Sequence, residues 1–239
     1  MDILAESISY KYFRKGKKKE AIFELLNISL ELKEGELTGI IGHSGSGKST
    51  LLNILSGALT PVTGTVKTKE RGDISNGYRE AGIVTDLYSL NDRERSRFRN
   101  RHIGIIPQDR SALGHLTVYE NIILPLKMYG EMIPEKYTEK IISDLGLERV
   151  KREPAVSLSG GEVRRLSVAR ALIGRPEIIL ADEPTGDLDQ DNRRVVLEIL
   201  KQLSKEGKTV LMVTHDKEAE SYADRIYRIE NGAVISDQL

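Results

Sequence analysis

Nine residues, Gly42-His43-Ser44-Gly45-Ser46-Gly47-Lys48-Ser49-Thr50, limit the fold of this chain more than any other feature. They fit the pattern G-x-x-x-x-G-K-[ST], follow the apolar run Leu37-Thr38-Gly39-Ile40-Ile41 and lead into the helical segment Thr50 to Leu55. Such a loop works only where a buried strand passes directly into a helix, because successive backbone N–H groups must converge on one anion at the helix N-terminus. The unit is therefore strand, phosphate loop, helix, and the chain belongs to the α/β class. Within the loop the glycines permit the turn, Lys48 neutralises β- and γ-phosphate oxygens, and the Ser49 hydroxyl is placed to coordinate Mg²⁺.

Other segments extend this unit. Ile178 to Ala181 and Thr209 to Thr214 are short, apolar and rich in β-branched residues, which predicts strands buried on both faces of a parallel sheet. Between them Val195, Val196, Ile199, Leu200 and Leu203 recur at helical spacing, and Gly207 stands where a helix C-cap belongs. Arg225 to Ile229 and Ala233 to Ser236 flank Asn231-Gly232, a dipeptide suited to a hairpin turn. From about Leu116 to Arg152 the apolar positions Val118, Ile122, Ile123, Leu126, Ile141, Ile142 and Leu145 mark helical faces, predicting a small helical lobe inserted into the α/β core.

Composition narrows the partners. Lys and Arg together number 36, as do Asp and Glu, so net charge gives no global pull toward nucleic acid or anionic lipid. Arg93, Arg95, Arg97, Arg99 and Arg101, and the stretch Lys15 to Lys19, are read as solvated charge, because no aromatic platform for bases accompanies them. Cysteine is absent, the segment MDILAESISYKYF lacks the apolar core of a secretory signal, and no apolar stretch approaches the ~18 residues of a membrane span. A soluble chain in a reducing cytoplasm is expected, without nucleic acid as a partner.

Mg²⁺ held by few protein ligands calls for a second oxygen donor at the end of a neighbouring strand. Asp182 ends the apolar run Ile178 to Ala181, and Glu183 beside it is placed to polarise a water for attack on a γ-phosphate. Pro184-Thr185-Gly186 then turns the chain away, and His215 ends a later strand on the same edge of the sheet. The run Leu158-Ser159-Gly160-Gly161-Glu162 has two readings. Ser159 and Glu162 make a capping box for a helix over Glu162 to Ile173, while the paired glycines let an anion approach bare N–H groups.

Taken together these motifs resemble the ATP-binding cassette (ABC) ATPases, nucleotide-binding subunits of transporters, over nearly the whole chain. The matching positions are the phosphate loop Gly42 to Thr50, Gln108, the signature Leu158 to Glu162, Asp182 and Glu183, Asp189, and His215. The resemblance implies a P-loop NTPase core, mostly parallel sheet flanked by helices, with an N-terminal antiparallel β portion and an inserted α-helical lobe. Residues 1–239 would form a single nucleotide-binding domain, with a core lobe of about 1–107 and 166–239 and a helical lobe of about 108–165. ATP and Mg²⁺ are the implied ligands. Gln108 would sense the γ-phosphate and join Ser49 and Asp182 at Mg²⁺, His215 would contact the γ-phosphate, and Tyr12 would stack on adenine, with Tyr10 and Phe13 as alternatives. Ser159, Gly160 and Gly161 would reach across a head-to-tail dimer to the γ-phosphate on the partner's loop, and Glu162 and Asp189 would also belong to the nucleotide-binding residues. A complete site then needs a second copy of the chain, and motion would pass to a separate integral-membrane permease through the stretch from Gln108 to about Tyr119.

Leu180 to Asp189, Ile103-Gly104 and Leu116 to Asn121 resemble the subgroup serving lipoprotein release, macrolide and peptide export, and cell division, and an exporter is the leading expectation. Lys67 to Leu87 is longer than that subgroup usually has, and Glu162 stands where glutamine is commoner. The alternative is a regulatory ATPase of cell-division type that signals through a membrane partner without moving solute. A DNA-repair or translation ATPase would carry two cassettes or long arms, and a small-molecule kinase would leave the signature, Gln108 and His215 without a role. In either leading case the chain would sit on the inner face of the membrane through its permease.

Overall fold

Strands that are apolar on both faces must be covered on both sides, and the chain supplies a different layer for each. The computed structural model describes residues 1–14, 17–70, 74–75, 78–79, 82–109, 111–186 and 188–238. In order they form β1 (Asp2–Arg14), β2 (Lys17–Leu32), β3 (Leu37–Ile41), α1 (Lys48–Leu55), β4 (Thr63–Lys69), β5 (Ile74–Ser75), β6 (Tyr78–Arg79), β7 (Val84–Asp86), α2 (Asp92–His102) and β8 (Ile103–Ile106). Then follow α3 (Val118–Tyr129), α4 (Glu135–Asp144), α5 (Gly160–Leu172), β9 (Ile178–Asp182), α6 (Gln190–Lys205), β10 (Thr209–Thr214), α7 (Lys217–Glu220), β11 (Arg225–Glu230) and β12 (Ala233–Gln238).

The central sheet has the order β12-β11-β3-β10-β9-β8. Its strands β11, β3, β10, β9 and β8 pair in parallel, and β12 closes the edge antiparallel. Residues of β9 alternate in destination: Ile178 and Leu180 enter one core, Ile179 and Ala181 the other. The first core lies beneath the second sheet, β2-β1-β4-β7, and α1, with Ile3, Ala5, Ile8, Leu51 and Leu55 fully buried. The second lies beneath α3, α4, α5 and α6, with Val118, Ile122, Ile142, Leu166 and Leu200 at its centre. The expected antiparallel β portion, parallel core and helical segment are all present.

Ends of elements follow the expected chemistry with small corrections. α6 stops in a Schellman arrangement: Gly207 has φ +90°, its N–H donates to the Ser204 carbonyl at 2.9 Å, and Lys208 N–H donates to Leu203 at 3.1 Å. At the β11–β12 turn Asn231 and Gly232 have φ of +47° and +77°, and a Cβ on Gly232 would strike the Glu24 carbonyl oxygen at 1.8 Å. The helix after the phosphate loop begins already at Lys48, and the one after the second glycine motif at Gly160. In both cases glycines taken as approach to a helix form its first turn or cap. α2 is an element that the charge run concealed. The long stretch Lys67 to Leu87 pairs β4 with β7, while 71–73, 76–77 and 80–81 lie outside the described residues, as do the side chains of the Lys15 to Lys19 run and of Phe13. No helix among the described residues is long and apolar enough to cross a membrane.

Candidate nucleotide site

The carboxyl ends of β3, β9 and β10 bring the predicted residues together. Leaving β3, the chain turns at Gly42, where any Cβ would lie 2.4 Å from the Ile229 carbonyl oxygen and 2.6 Å from Ser46 Oγ. Gly45 and Gly47 adopt φ of +82° and +101°, the left-handed region that a side chain resists. Gly47 is the N-cap of α1 and supplies no side-chain acceptor, and no acid occupies the first turn. The N–H groups at this helix start therefore remain free for an anion. The Oγ of Ser46 is buried with no partner inside the loop.

Lys48 is folded back into this cradle. Its Nζ donates to the carbonyls of Gly42 at 2.8 Å and His43 at 3.0 Å, and lies 3.7 Å from Glu183 Oε1. Ser49 Oγ donates to Asp182 Oδ1 at 3.0 Å, so the two oxygen donors expected for Mg²⁺ already touch. Burial pushes the Asp182 carboxyl above its ordinary value, and neighbouring Glu183 adds to this against the Ser49 hydrogen bond and the Lys48 charge. A half-buried carboxylate held at such a cost, paired with a serine hydroxyl, suits a small hard cation with few protein ligands.

Glu183 is buried and has φ +44°, an uncommon conformation for a residue with a side chain. Its N–H donates to the Val213 carbonyl at 2.9 Å and its carbonyl accepts from Gly186 N–H at 3.1 Å. The strained turn leaves its Oε1 2.9 Å from Nδ1 of His215, whose ring is otherwise exposed. Tyr12, Ser44, Gly45, Gly47, Lys48, Ser49, Thr50, Gln108, Glu183 and His215 line one cavity of about 430 Å³. A second space of about 440 Å³ adjoins it at Gln108, Glu183 and His215 and continues along Arg193 and Lys217. Tyr12 is half exposed and meets Tyr10 edge-on at 4.9 Å, and of these two described aromatic candidates Tyr12 is the one lining the cavity. His43 stays outside it, with Nδ1 2.8 Å from the Ser44 carbonyl oxygen.

The second glycine motif is elsewhere. Ser159 Oγ accepts from Glu162 N–H at 3.4 Å, and Glu162 Oε2 accepts from Ser159 N–H at 2.8 Å and from its hydroxyl at 2.7 Å, completing the capping box. These hydrogen bonds hold the Glu162 carboxyl below its ordinary value. Neither this box nor Asp189, which caps α6 by accepting from Asn192 N–H at 2.8 Å, lines the cavity around Lys48.

Two residues that carry the geometry went unread in the sequence. Arg164 is buried on α5 and donates to the carbonyls of Pro107 at 2.6 Å, Gln108 at 3.2 Å and Glu183 at 2.9 Å. Asn192 accepts from Arg165 Nη1 at 2.9 Å and donates to Asp189 Oδ2 at 2.7 Å. Little in the sequence pointed to Arg164, because α5 also carries Arg165 and Arg170 and only packing decides which arginine is buried among Val163, Leu166, Val168 and Leu172.

The chain matches known proteins in sequence and in fold. The family model described as ABC transporter matches residues 25–186. The chain is 39% identical over 239 residues to the macrolide export ATP-binding/permease protein MacB of Mannheimia succiniciproducens, covering 99% of this chain and 35% of that protein. It therefore spans about a third of the length of such relatives. It is 38% identical to the ABC transporter ATP-binding protein YtrE of Bacillus subtilis, over 95% of this chain and 93% of that one. It is also 40% identical to the lipoprotein-releasing system ATP-binding protein LolD of Psychrobacter arcticus, over 87% and 88%. A dimeric post-hydrolysis structure of the ATP-binding cassette MJ0796 with ADP and Pi superposes with a TM-score of 0.81 at 32% identity, covering 99% of this chain and 97% of that one.

Proposed function

This chain belongs to the ABC transporter family as an ATP-binding domain, and on that premise we propose that it hydrolyses ATP to drive a membrane permease, as an exporter of the MacB and LolD type. The carrying observation is the convergence of Lys48, the Ser49–Asp182 pair and the Glu183–His215 pair on one cavity. Phosphate oxygens would take over the Lys48 ammonium from the Gly42 and His43 carbonyls and receive the free N–H groups of α1. Ser49 and Asp182, joined by Gln108, would hold Mg²⁺, which supplies charge neutralisation at the β- and γ-phosphates.

Glu183 acts as the base. Its carboxylate accepts from or is oriented by the His215 ring, and the strained backbone fixes its direction toward the cavity. Tyr12 offers its face to adenine. Because Ser159, Gly160, Gly161, Glu162 and Asp189 lie away from this chain's own cavity, they serve the γ-phosphate of a second copy in a head-to-tail dimer. The segment 108–165 forms the helical lobe that transmits closure to a permease, placing the chain on the cytoplasmic face of the membrane.

Glu183→Gln removes the base while keeping shape. Expected is ATP binding close to the parent, turnover lower by on the order of 100-fold or more, and a dimer on size exclusion with Mg-ATP. A variant that stays monomeric with ATP bound would refute the dimer, and one that turns over normally would refute the assignment of Glu183.

A further inference from the structure

Packing does little to hold His215 at the cavity. Its side chain is 66% exposed, and its described hydrogen bond joins Nδ1 to Glu183 Oε1 at 2.9 Å. A ring so placed takes its direction from the backbone that carries it and from the groups that hold that backbone. The backbone leaves β10 at Thr214 and turns at once into α7. Asp216, the residue after His215, makes the turn: its N–H donates to Thr214 Oγ1 at 3.0 Å, and its Oδ1 accepts from Glu218 N–H at 2.9 Å as the cap of α7. With four residues, α7 is too short to fix this turn by itself.

The other oxygen of Asp216 is held from α6. Nη1 of Arg193 lies 3.3 Å from Asp216 Oδ2 and 3.7 Å from Glu218 Oε2, and Nη2 of Arg193 donates to the Leu188 carbonyl at 3.4 Å. Thr185 Oγ1 reaches the same Oδ2 at 3.5 Å. One guanidinium thus joins the loop after Glu183, the turn after His215 and the start of α7. Two effects oppose this position. Arg193 stands at the start of α6, where the macrodipole disfavours a cation, and its Nε is buried with no hydrogen-bond partner among the described residues. The carboxylates of Asp216 and Glu218 offset both.

We infer that Arg193 is a positioning residue for His215: through Asp216 it holds the turn after β10 so that the ring stays on Glu183. The consequence for turnover rests on the reading of this cavity as an ATPase site with Glu183 as base. Arg193 does not line the cavity around Lys48 but the space that adjoins it at Gln108, Glu183 and His215. Its removal therefore acts on the rate and spares nucleotide binding. A partly exposed ion pair of this kind contributes little to folding, so the loss of rate should exceed any loss of stability.

The test compares Arg193→Leu, Arg193→Lys and Asp216→Asn, each with and without His215→Ala, by calorimetry, ATP hydrolysis and nitrogen NMR of histidine-labelled protein, in which the signal lost in His215→Ala identifies that ring. Arg193→Leu should keep Tm within about 4 °C of the parent, lower kcat by on the order of 10-fold and leave KM for ATP unchanged. Asp216→Asn, which keeps an acceptor for the cap, should lose a similar factor. Arg193→Lys should recover part of the rate, because an ammonium can still meet Asp216 without the planar fork. In the His215→Ala background none of the three should slow hydrolysis further by more than about twofold. The His215 ring signal should shift in Arg193→Leu. Equal rate losses with His215 present or absent, an unchanged kcat, or an unchanged ring signal would each overturn the inference. If Arg193→Leu does not fold, Arg193→Lys and Asp216→Asn decide by the same comparison. A parent that does not hydrolyse ATP would sink the proposed function, and the ring signal would then decide by itself whether Arg193 positions His215.

Discussion

Arg164 Nη2 donates to the carbonyl of Glu183 at 2.9 Å and so ties the turn after β9 to the helix that begins with the second glycine motif. The same guanidinium holds the Pro107 and Gln108 carbonyls that follow β8. One buried cation thereby sets the spacing between the two loops that present Gln108 and Glu183 to the cavity.

Arg164→Met should accordingly damage both stability and turnover. Loss of charged donors to buried carbonyls costs about 2–4 kcal/mol, which for a chain of this size lowers Tm by about 5–15 °C. Turnover should fall by on the order of 10–100-fold through displacement of Glu183. Arg164→Lys keeps a charge without the planar fork, so it should recover more of the Tm than of the kcat. Calorimetry paired with steady-state kinetics reads both, and a lysine variant with full turnover would show that the fork does not position Glu183.

A second prediction concerns Gly161 and Asn192. A Cβ on Gly161 would lie 2.3 Å from Asn192 Oδ1, so Gly161→Ala must displace the Asn192 side chain from its bonds to Arg165 and Asp189 or shift α5 against the start of α6. Asn192→Ala removes the obstruction along with the bonds to Arg165 and Asp189. Each single change should destabilise, and the double variant should be more stable than the sum of the singles by about 0.5–3 kcal/mol. Denaturant unfolding of all four proteins completes the cycle; strict additivity would mean that α5 and α6 move independently here.

Local chemistry made much of this legible beforehand. The phosphate loop, the acids after β9 and His215 were readable because each is fixed by one strand end, and strand ends follow from short apolar runs. The capping box at Ser159 and Glu162 was readable because its partners are three positions apart. Arg164 and Asn192 were not, since their partners are remote in sequence: Arg164 reaches Pro107, and Arg165 reaches Asn192, only after α5 has packed. α2 was hidden for another reason. It has no buried residue and so no apolar period, and its start is marked by the Asn91–Glu94 capping box rather than by a hydrophobic face.

His215→Ala tests the other side of the base proposed at Glu183. Without the ring, Oε1 of Glu183 keeps Lys48 at 3.7 Å as its nearby charged neighbour and loses the partner that orients it. Turnover should drop by about 10²–10⁴-fold, while ATP affinity changes little, because Lys48 and the N–H groups of α1 are untouched. Equilibrium binding of a labelled nucleotide and single-turnover hydrolysis separate the two effects. Normal hydrolysis in this variant would leave Glu183 oriented by its backbone alone.

Ser159→Ala separates a cap from a catalytic contact. Folding lowers the Glu162 carboxyl below its ordinary value near 4.5 through hydrogen bonds from Ser159. A depressed carboxyl contributes stability that is present above the unfolded value and lost as pH falls through the folded one. Removing the hydroxyl should cost about 1 kcal/mol at neutral pH, or about 2–4 °C in Tm, and the gap to the parent should narrow as pH falls below 4.5. Turnover at neutral pH should fall by far more than this loss explains, if the hydroxyl also meets the phosphate held by a second copy. A Tm gap that is independent of pH would remove Glu162 from the cap. Turnover that falls no further than the Tm loss explains would leave the capping box with a structural role alone.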